Sequence, residues 1–289
     1  MIYEIFLIAG LSVGAVYALS GVGLVLLYRA TGVLNLGYGA IGGFTALVAW
    51  QIEQAGGPVW AACLGAILLA TVISTVYGFA VSPFMAYREP VVKAVASIGL
   101  ALILLGLSNF LWAVTARSMD FASDSMGIRL FHVRITGTRM IAFGVAVAAT
   151  LGIAGYLRFT RTGLLMRALA NNRNLSAMLG VPVARVEALA WAISGVLAGI
   201  TGLLLADLVR LDSATLTFMV IPAISAAVLG RLESLTLTLL GGMFIGVIET
   251  MAALIGPIAP YRSVAPFVIA VFVILWLRRQ NNLALSSHD

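Results

Sequence analysis

Residues able to do chemistry are few in this chain of 289. It has 11 acids, 17 bases of which Lys93 is the lone lysine, two histidines and one cysteine, Cys63. Metal centres usually need three or four ligands, and His132 and His288 are too few and too far apart to supply them. Cys63 excludes an internal disulfide and reads as a small buried hydrophobe. A phosphate-binding loop needs G-x-x-x-x-G-K-[ST], so that the lysine reaches the phosphates. Lys93 lies in VVKAVAS without such glycines. The acids are scattered, so no catalytic role is expected, and no metal or cofactor either.

A different kind of chemistry is available at Asn35, Gly37 and Gly39, and at Ser225 and Gly230 in the other half of the chain. Small residues make room for a small solute. An unwound, glycine-rich segment also offers free backbone amides, and a helix N-terminus favours a carboxylate. Glycines of this kind equally serve close helix packing in membranes, and both readings stay open. Glu249 is the one acid deep inside an apolar segment, and Asn109 is a buried amide. A buried charge costs several kcal/mol and usually finds a partner. Arg210 or Arg262 is therefore expected to pair with Glu249. Glu4, Glu53, Glu187 and Asp207 sit at segment ends, where solvated charge is expected.

The elements that position these groups follow from composition. The chain is 62% hydrophobic and 10% charged, with a mean hydropathy of +1.08. A soluble domain is about 45–50% apolar and about 25% charged, so soluble enzymes, disordered chains and disulfide scaffolds are excluded. Apolar runs cover about 5–28, 36–52, 58–81, 91–115, 138–158, 187–209, 215–232, 235–256 and 264–277. They are unbroken rather than alternating, which favours helices over a barrel. The fold expected is an all-α polytopic membrane protein of eight to nine transmembrane helices, in one domain over 1–289. The start, MIYEIFLIAG, has no basic residue or cleavage site and reads as a retained span.

The net charge of +6 fits basic loops held on the cytoplasmic face better than nucleic-acid binding. The connection 158–186 carries Arg158, Arg161, Arg167, Arg173 and Arg185 and no acid, and the tail begins with Arg278 and Arg279. Both are placed in the cytoplasm, with four segments between them. The mixed-charge loop 116–137, with Asp120, Asp124, Arg117, Arg129, Arg134 and His132, then falls outside. The N-terminus lies outside for nine spans, and inside for eight if 36–52 dips in and returns. Segments 36–52 and 215–232 are short and interrupted, the first by Gly37, Gly39, Gly42 and Gly43, the second by Pro222 and Gly230. Matched interruptions of this kind predict inverted repeats around a midplane pathway.

Within 158–186, helix formers at Leu164, Leu165, Met166, Ala168 and Leu169 precede a polar break at Asn171 and Asn172. A second turn, Leu175 to Leu179, stops at Gly180, and Pro182 suits the first turn of the next helix. Such a cationic amphipathic loop either lies on anionic lipid or docks a soluble partner.

GLSVGAVYALSGVGLVLLYRATGVLNLGYGAIGGF and TGLLMRALANNRNLSAMLGVPVARV resemble the opening and the cytoplasmic loop of branched-chain amino acid ABC permeases of the LivH type. AISGVLAGITGLLLA and AAVLGRLESLTLTLLGGMFIGVIE are also similar to that family. The resemblance implies a bacterial inner-membrane permease subunit, C-terminus cytoplasmic, importing branched-chain or related hydrophobic amino acids. It implies a second, related permease forming a heterodimer, two ATPase subunits that hydrolyse the ATP, and an extracytoplasmic binding protein. The matching loop positions are Gly163, Arg167, Ala168, Asn171, Leu179 and Gly180, read as a lever pushed by the ATPase. One departure is that Arg231, Leu232 and Glu233 stand where the family often has glycines, which puts the usual turn in question. The competing reading is a self-sufficient secondary transporter or channel. It lacks the intramembrane Asp or His chain that a proton relay would use.

Overall fold

A computed structural model describes residues 2–85, 88–112, 117, 127–130, 133–209, 211–257, 259–273 and 275. Helices α1 (Ile2–Thr31), α2 (Tyr38–Gln54), α3 (Val59–Ala80), α4 (Ser82–Met85) and α5 (Pro90–Trp112) make the first half. A hairpin of β1 (Gly127–Leu130) and β2 (Val133–Thr136) precedes α6 (Gly137–Phe159). Then come α7 (Arg161–Asn171), α8 (Arg173–Met178), α9 (Val183–Leu208), α10 (Ser213–Phe218), α11 (Val220–Leu229) and α12 (Leu235–Ala252). A 3-10 turn (Ala259–Val264) leads into a helix over 265–273.

Six of these helices, α1, α3, α5, α6, α9 and α12, are long and apolar enough to cross a membrane. The all-α expectation needs one correction, because β1 and β2 pair antiparallel with Gly127 opposite Thr136. Ile128 pairs with Ile135 and Leu130 with Val133 in that register, an alternation too short to read against the charged loop around it. Asp120, Asp124, His132, Arg210, Arg278, Arg279 and His288 lie outside the described residues.

Burial sorts the helices. In α1 and α9, 61% and 72% of the apolar window is buried, against 22% in α3 and α5, so α1 and α9 form the centre. Residues 15–27 of α1 are buried on every side, as a helix apolar all round must be. On α3, Ala62, Ala66, Ala70 and Ser74 face inward, while Leu64, Leu68, Val72 and Val76 form an exposed apolar stripe suited to lipid.

Without a hydrophobic drive between helices in lipid, small residues decide who packs on whom. Helix α12 runs antiparallel to α1. Gly10 of α1 abuts Gly246, Val247 and Thr250, and Gly14 abuts Gly242 and Met243. Thr250 Oγ1 donates across the crossing to Phe6 O at 3.0 Å. The same arrangement recurs between α9 and α3, where Gly195 and Gly199 sit on Ala66, Ile67, Ala70 and Thr71. Ser74 Oγ donates to Trp191 O at 2.7 Å there, and the Tyr77 and Trp191 rings lie 5.0 Å apart. Likewise α11 lies on α1 and α12, as α2 lies on α9 and α3.

Candidate functional site

The expected pathway residues begin where α1 stops. Gly32 ends that helix at φ 68°, a left-handed conformation that glycine adopts freely. The chain then runs back into the bundle. Leu36 N donates to Ser97 Oγ at 3.0 Å, and Ser97 lies seven residues into α5. At 1.5 Å per residue, that is about 10 Å from the helix end. Asn35 is 1% exposed, and its Oδ1 accepts from Gly37 N at 3.0 Å. Its Nδ2 is buried with no partner among the described residues. Helix α2 begins at Tyr38, whose hydroxyl lies over Gly23 of α1.

The second interrupted segment meets the first here. Pro222 has no N–H to give to Phe218 O, and its ring crowds that carbonyl, so the helix breaks at Met219 between α10 and α11. A Cβ on Gly39 would lie 2.8 Å from Leu216 O, and one on Gly43 would lie 2.9 Å from Leu216 Cβ. Ser20, Tyr38, Thr201, Met219 and Val220 help line a void of about 10 Å³ at this meeting point, room for about one water.

Asn35, Gly37 and Gly39 are therefore brought together beside α5 and α10. Ser225 and Gly230 are not among them. Ser225 Oγ donates to Ile221 O at 3.0 Å within α11, and Gly230 packs on Ser234 and Thr238. Tyr38, Leu216, Met219 and Val220 were missed by sequence reasoning. A tyrosine between two glycines in an apolar segment was the available signal, because a buried hydroxyl usually needs a partner.

Gly163, Arg167, Ala168, Asn171, Leu179 and Gly180 gather on α7 and α8. Thr160 Oγ1 caps α7 by accepting from Gly163 N at 3.0 Å. A Cβ on Gly163 would lie 2.6 Å from Leu157 Cα, so glycine lets α7 fold back on the end of α6. The break is one residue, Asn172, whose Oδ1 accepts from Leu175 N at 3.0 Å and starts α8. Gly180, at φ 83°, ends it. Gly163, Met166 and Leu169 face inward, while Arg167 points out. Leu164 on α7, and Leu175, Met178 and Leu179 at α8, are exposed at 58%, 53%, 85% and 76%, large apolar side chains on short polar helices.

A cavity of about 860 Å³ opens at this end of the bundle. Arg29, Lys93, Arg167, Arg173 and Glu233 supply its charge, and Ala168 and Asn171 line it. Its wall includes the turn between α11 and α12. Arg231 and Leu232 hold φ 55° and 56° there, so the left-handed turn forms without glycine. Arg29 Nη1 donates to Glu233 O at 2.9 Å and ties that turn to α1.

One charge differs from expectation. Glu187 is not solvated. It is 4% exposed and pairs with Arg173 at 2.9 Å. Glu249, toward the opposite end, faces the Tyr17 hydroxyl, with Arg262 acting on it electrostatically. One of its oxygens, Oε2, is buried with no hydrogen-bond partner among the described residues. Asn109 is half-buried and partnered, and Asp207 is likewise partnered.

The chain is similar to known transport proteins along most of its length. The LivH high-affinity branched-chain amino acid permease protein of Salmonella typhimurium is 25% identical over 285 residues, covering 92% of this chain and 91% of that protein. The corresponding BraD protein of Pseudomonas aeruginosa is 25% identical over 290 residues, covering 93% and 92%. Among solved structures, an inward-facing ABC transporter described as of metal-chelate type shares the fold at a TM-score of 0.54 and 16% identity, covering 94% of this chain and 85% of that one. The family described as "Branched-chain amino acid transport system / permease component" matches residues 6–276. With a bundle of apolar helices behind that match, the chain belongs to this permease family and is a multi-pass membrane permease subunit of a transport system.

Proposed function

We propose that the transport system is an ABC importer of branched-chain or related hydrophobic amino acids, and that α7 and α8 are where a separate ATPase subunit drives it. The observation that carries the second half is the exposure of Leu164 on α7 and of Leu175, Met178 and Leu179 at α8, with Arg161 and Arg167 also exposed on α7. Apolar side chains this exposed on short capped helices suit a protein partner. Lipid would ask for one continuous amphipathic face. The positive-inside rule supports placing this basic end in the cytoplasm, along with Arg29, Arg158, Arg173 and the C-terminal tail. The likeness to bacterial permeases supports a bacterial inner membrane.

Nine crossings are our reading of the topology, with α2 and the α10–α11 pair each counted once and the N-terminus outside. The paired packing of α1 on α12 and α9 on α3 supports inverted repeats related through the bundle centre. Asn35, Gly37 and Gly39 lie at that centre and are the proposed pathway contacts. Ser225 and Gly230 keep a supporting place on α11. A second, different permease, two ATPases that bind and hydrolyse the ATP, and an extracytoplasmic binding protein complete the assembly.

The test is uptake by the reconstituted complex with its binding protein in liposomes. Leucine, isoleucine and valine compete, and ATP is supplied on the side of α7. ATP-dependent leucine uptake is expected. Uptake of an amide or urea with no competition by leucine would overturn the substrate reading and leave the ATPase reading intact.

A further inference from the structure

Glu187 is a buried acid in the second turn of α9, and its surroundings are organised around its charge. Arg173 Nη2, from the first residue of α8, reaches Glu187 Oε1 at 2.9 Å. Lys93, from the first turn of α5, attracts the same carboxylate electrostatically and repels Arg173. The Lys93 ammonium also lies beside Gly32, 3.9 Å from where a Cβ would be built. A cation there suits the negative end of the α1 dipole. One carboxylate thus pairs with a cation of α8 and attracts one of α5 from further off, and the second of them stands where α1 ends and residues 33–37 turn back toward Tyr38. The one buried residue of α8 is Ser176.

We propose that Glu187, with Arg173 and Lys93, is the joint that carries displacement of α8 into α5, α9 and the re-entrant stretch 33–37. Glu187 is a positioning residue here and touches no substrate. The proposal rests on the reading of α7 and α8 as the ATPase contact. Its physical basis is that attraction between charges weakens steeply with distance where water is scarce. Breaking such a pair strands a buried charge. When α8 moves, it is therefore easier for α9 and α5 to follow than for the pair to open. An exposed pair would stretch into water and transmit nothing. The ATPase cycle can bias the permease only through contacts that differ between its two states, and this joint is such a contact.

The experiment uses the complete importer in liposomes, with ATP hydrolysis and solute uptake read on the same sample. Glu187→Gln, Arg173→Gln and the double variant are compared with the parent, and Glu187→Asp serves as the conservative control. In Glu187→Gln the ATPase is expected to stay bound and hydrolyse ATP, while uptake per ATP falls about tenfold, within the 5–150-fold span of allosteric couplings. Glu187→Asp should recover part of that loss. The double variant leaves neither member of the ion pair stranded and only Lys93, half-exposed, without its counter-charge, so it should restore abundance without restoring uptake per ATP. That arm carries the test where the single variants fail to accumulate. An unchanged uptake per ATP in Glu187→Gln overturns the proposal. So does a double variant that regains both abundance and coupling, because the pair is then only structural. Should no ATPase co-purify with the parent chain, the reading of α7 and α8 fails first, before any variant is made.

Discussion

Glycine-to-alanine exchange should change sign across this molecule. On Gly14 a Cβ would lie 2.7 Å from Gly242 O and 2.8 Å from Met243 Cα. Carbon–carbon contact is comfortable at about 3.5–4.0 Å. The shortfall against Met243 is therefore about 0.7–1.2 Å, and both obstacles are backbone that no rotamer can move. Helices α1 and α12 must separate, and overpacking of this kind costs about 1–3 kcal/mol. Gly152 on α6 is the control, because a Cβ there meets nothing within 4 Å. Removing a mid-helix glycine then helps by about 0.5–1 kcal/mol. A domain of 150–250 residues shifts its midpoint about 2–4 °C per kcal/mol. Heating the detergent-solubilised protein in steps and measuring the monodisperse fraction should show Gly14→Ala several degrees below the parent. Gly152→Ala should lie at or slightly above it. Equal shifts for the two variants would refute the reasoning, because the chemistry of the exchange is the same and only the packing differs.

Three further outcomes follow from single contacts. Thr250→Val keeps shape and removes the hydrogen bond to Phe6 O, so the same thermal assay should show a loss of about 0.6–2 kcal/mol. Arg231→Gly relieves a left-handed residue on an exposed turn. The relief of about 1–2 kcal/mol exceeds the entropy glycine adds to the unfolded chain, so a net gain of about 0.5–1 kcal/mol is expected in midpoint. Gly180→Ala meets no atom within 4 Å and is strained only by its φ of 83°. The end of α8 should loosen by about 1–2 kcal/mol, seen as faster hydrogen exchange over 173–181 with the rest of the chain unchanged.

Local signals in the sequence were legible where one residue type decides one conformation. Gly180, Asn172 and Pro182 bound α8 and start α9 as their chemistry requires, and Pro222 breaks the segment it was expected to interrupt. The six long apolar helices followed from the bilayer's thickness. What depends on distant partners stayed hidden. Tyr17 and Glu249 are far apart in the chain and meet only because α1 and α12 cross at their glycines. Glu187 looked like a solvated helix-end charge, because nothing local announces Arg173 and Lys93 arriving from other elements. The small size of Ser225 and Gly230 does not by itself tell where the chain places them. The kink at Pro222 instead puts Leu216, Met219 and Val220 opposite Tyr38 and Gly39. Segment 36–52 reads as a short span, yet its first turn starts well inside the bundle. Only the hydrogen bond from Leu36 to Ser97 shows how far the chain re-enters.

The most direct measurement is purification of this chain from its native membrane in mild detergent, with identification of everything that comes with it, for the parent and for Arg167→Glu. We predict that an ATPase and a second permease accompany the parent, and that Arg167→Glu loses the ATPase while keeping the second permease. A chain that purifies alone and moves solute in liposomes without ATP would contradict the account, and would make Glu249 the first residue to examine as a coupling site.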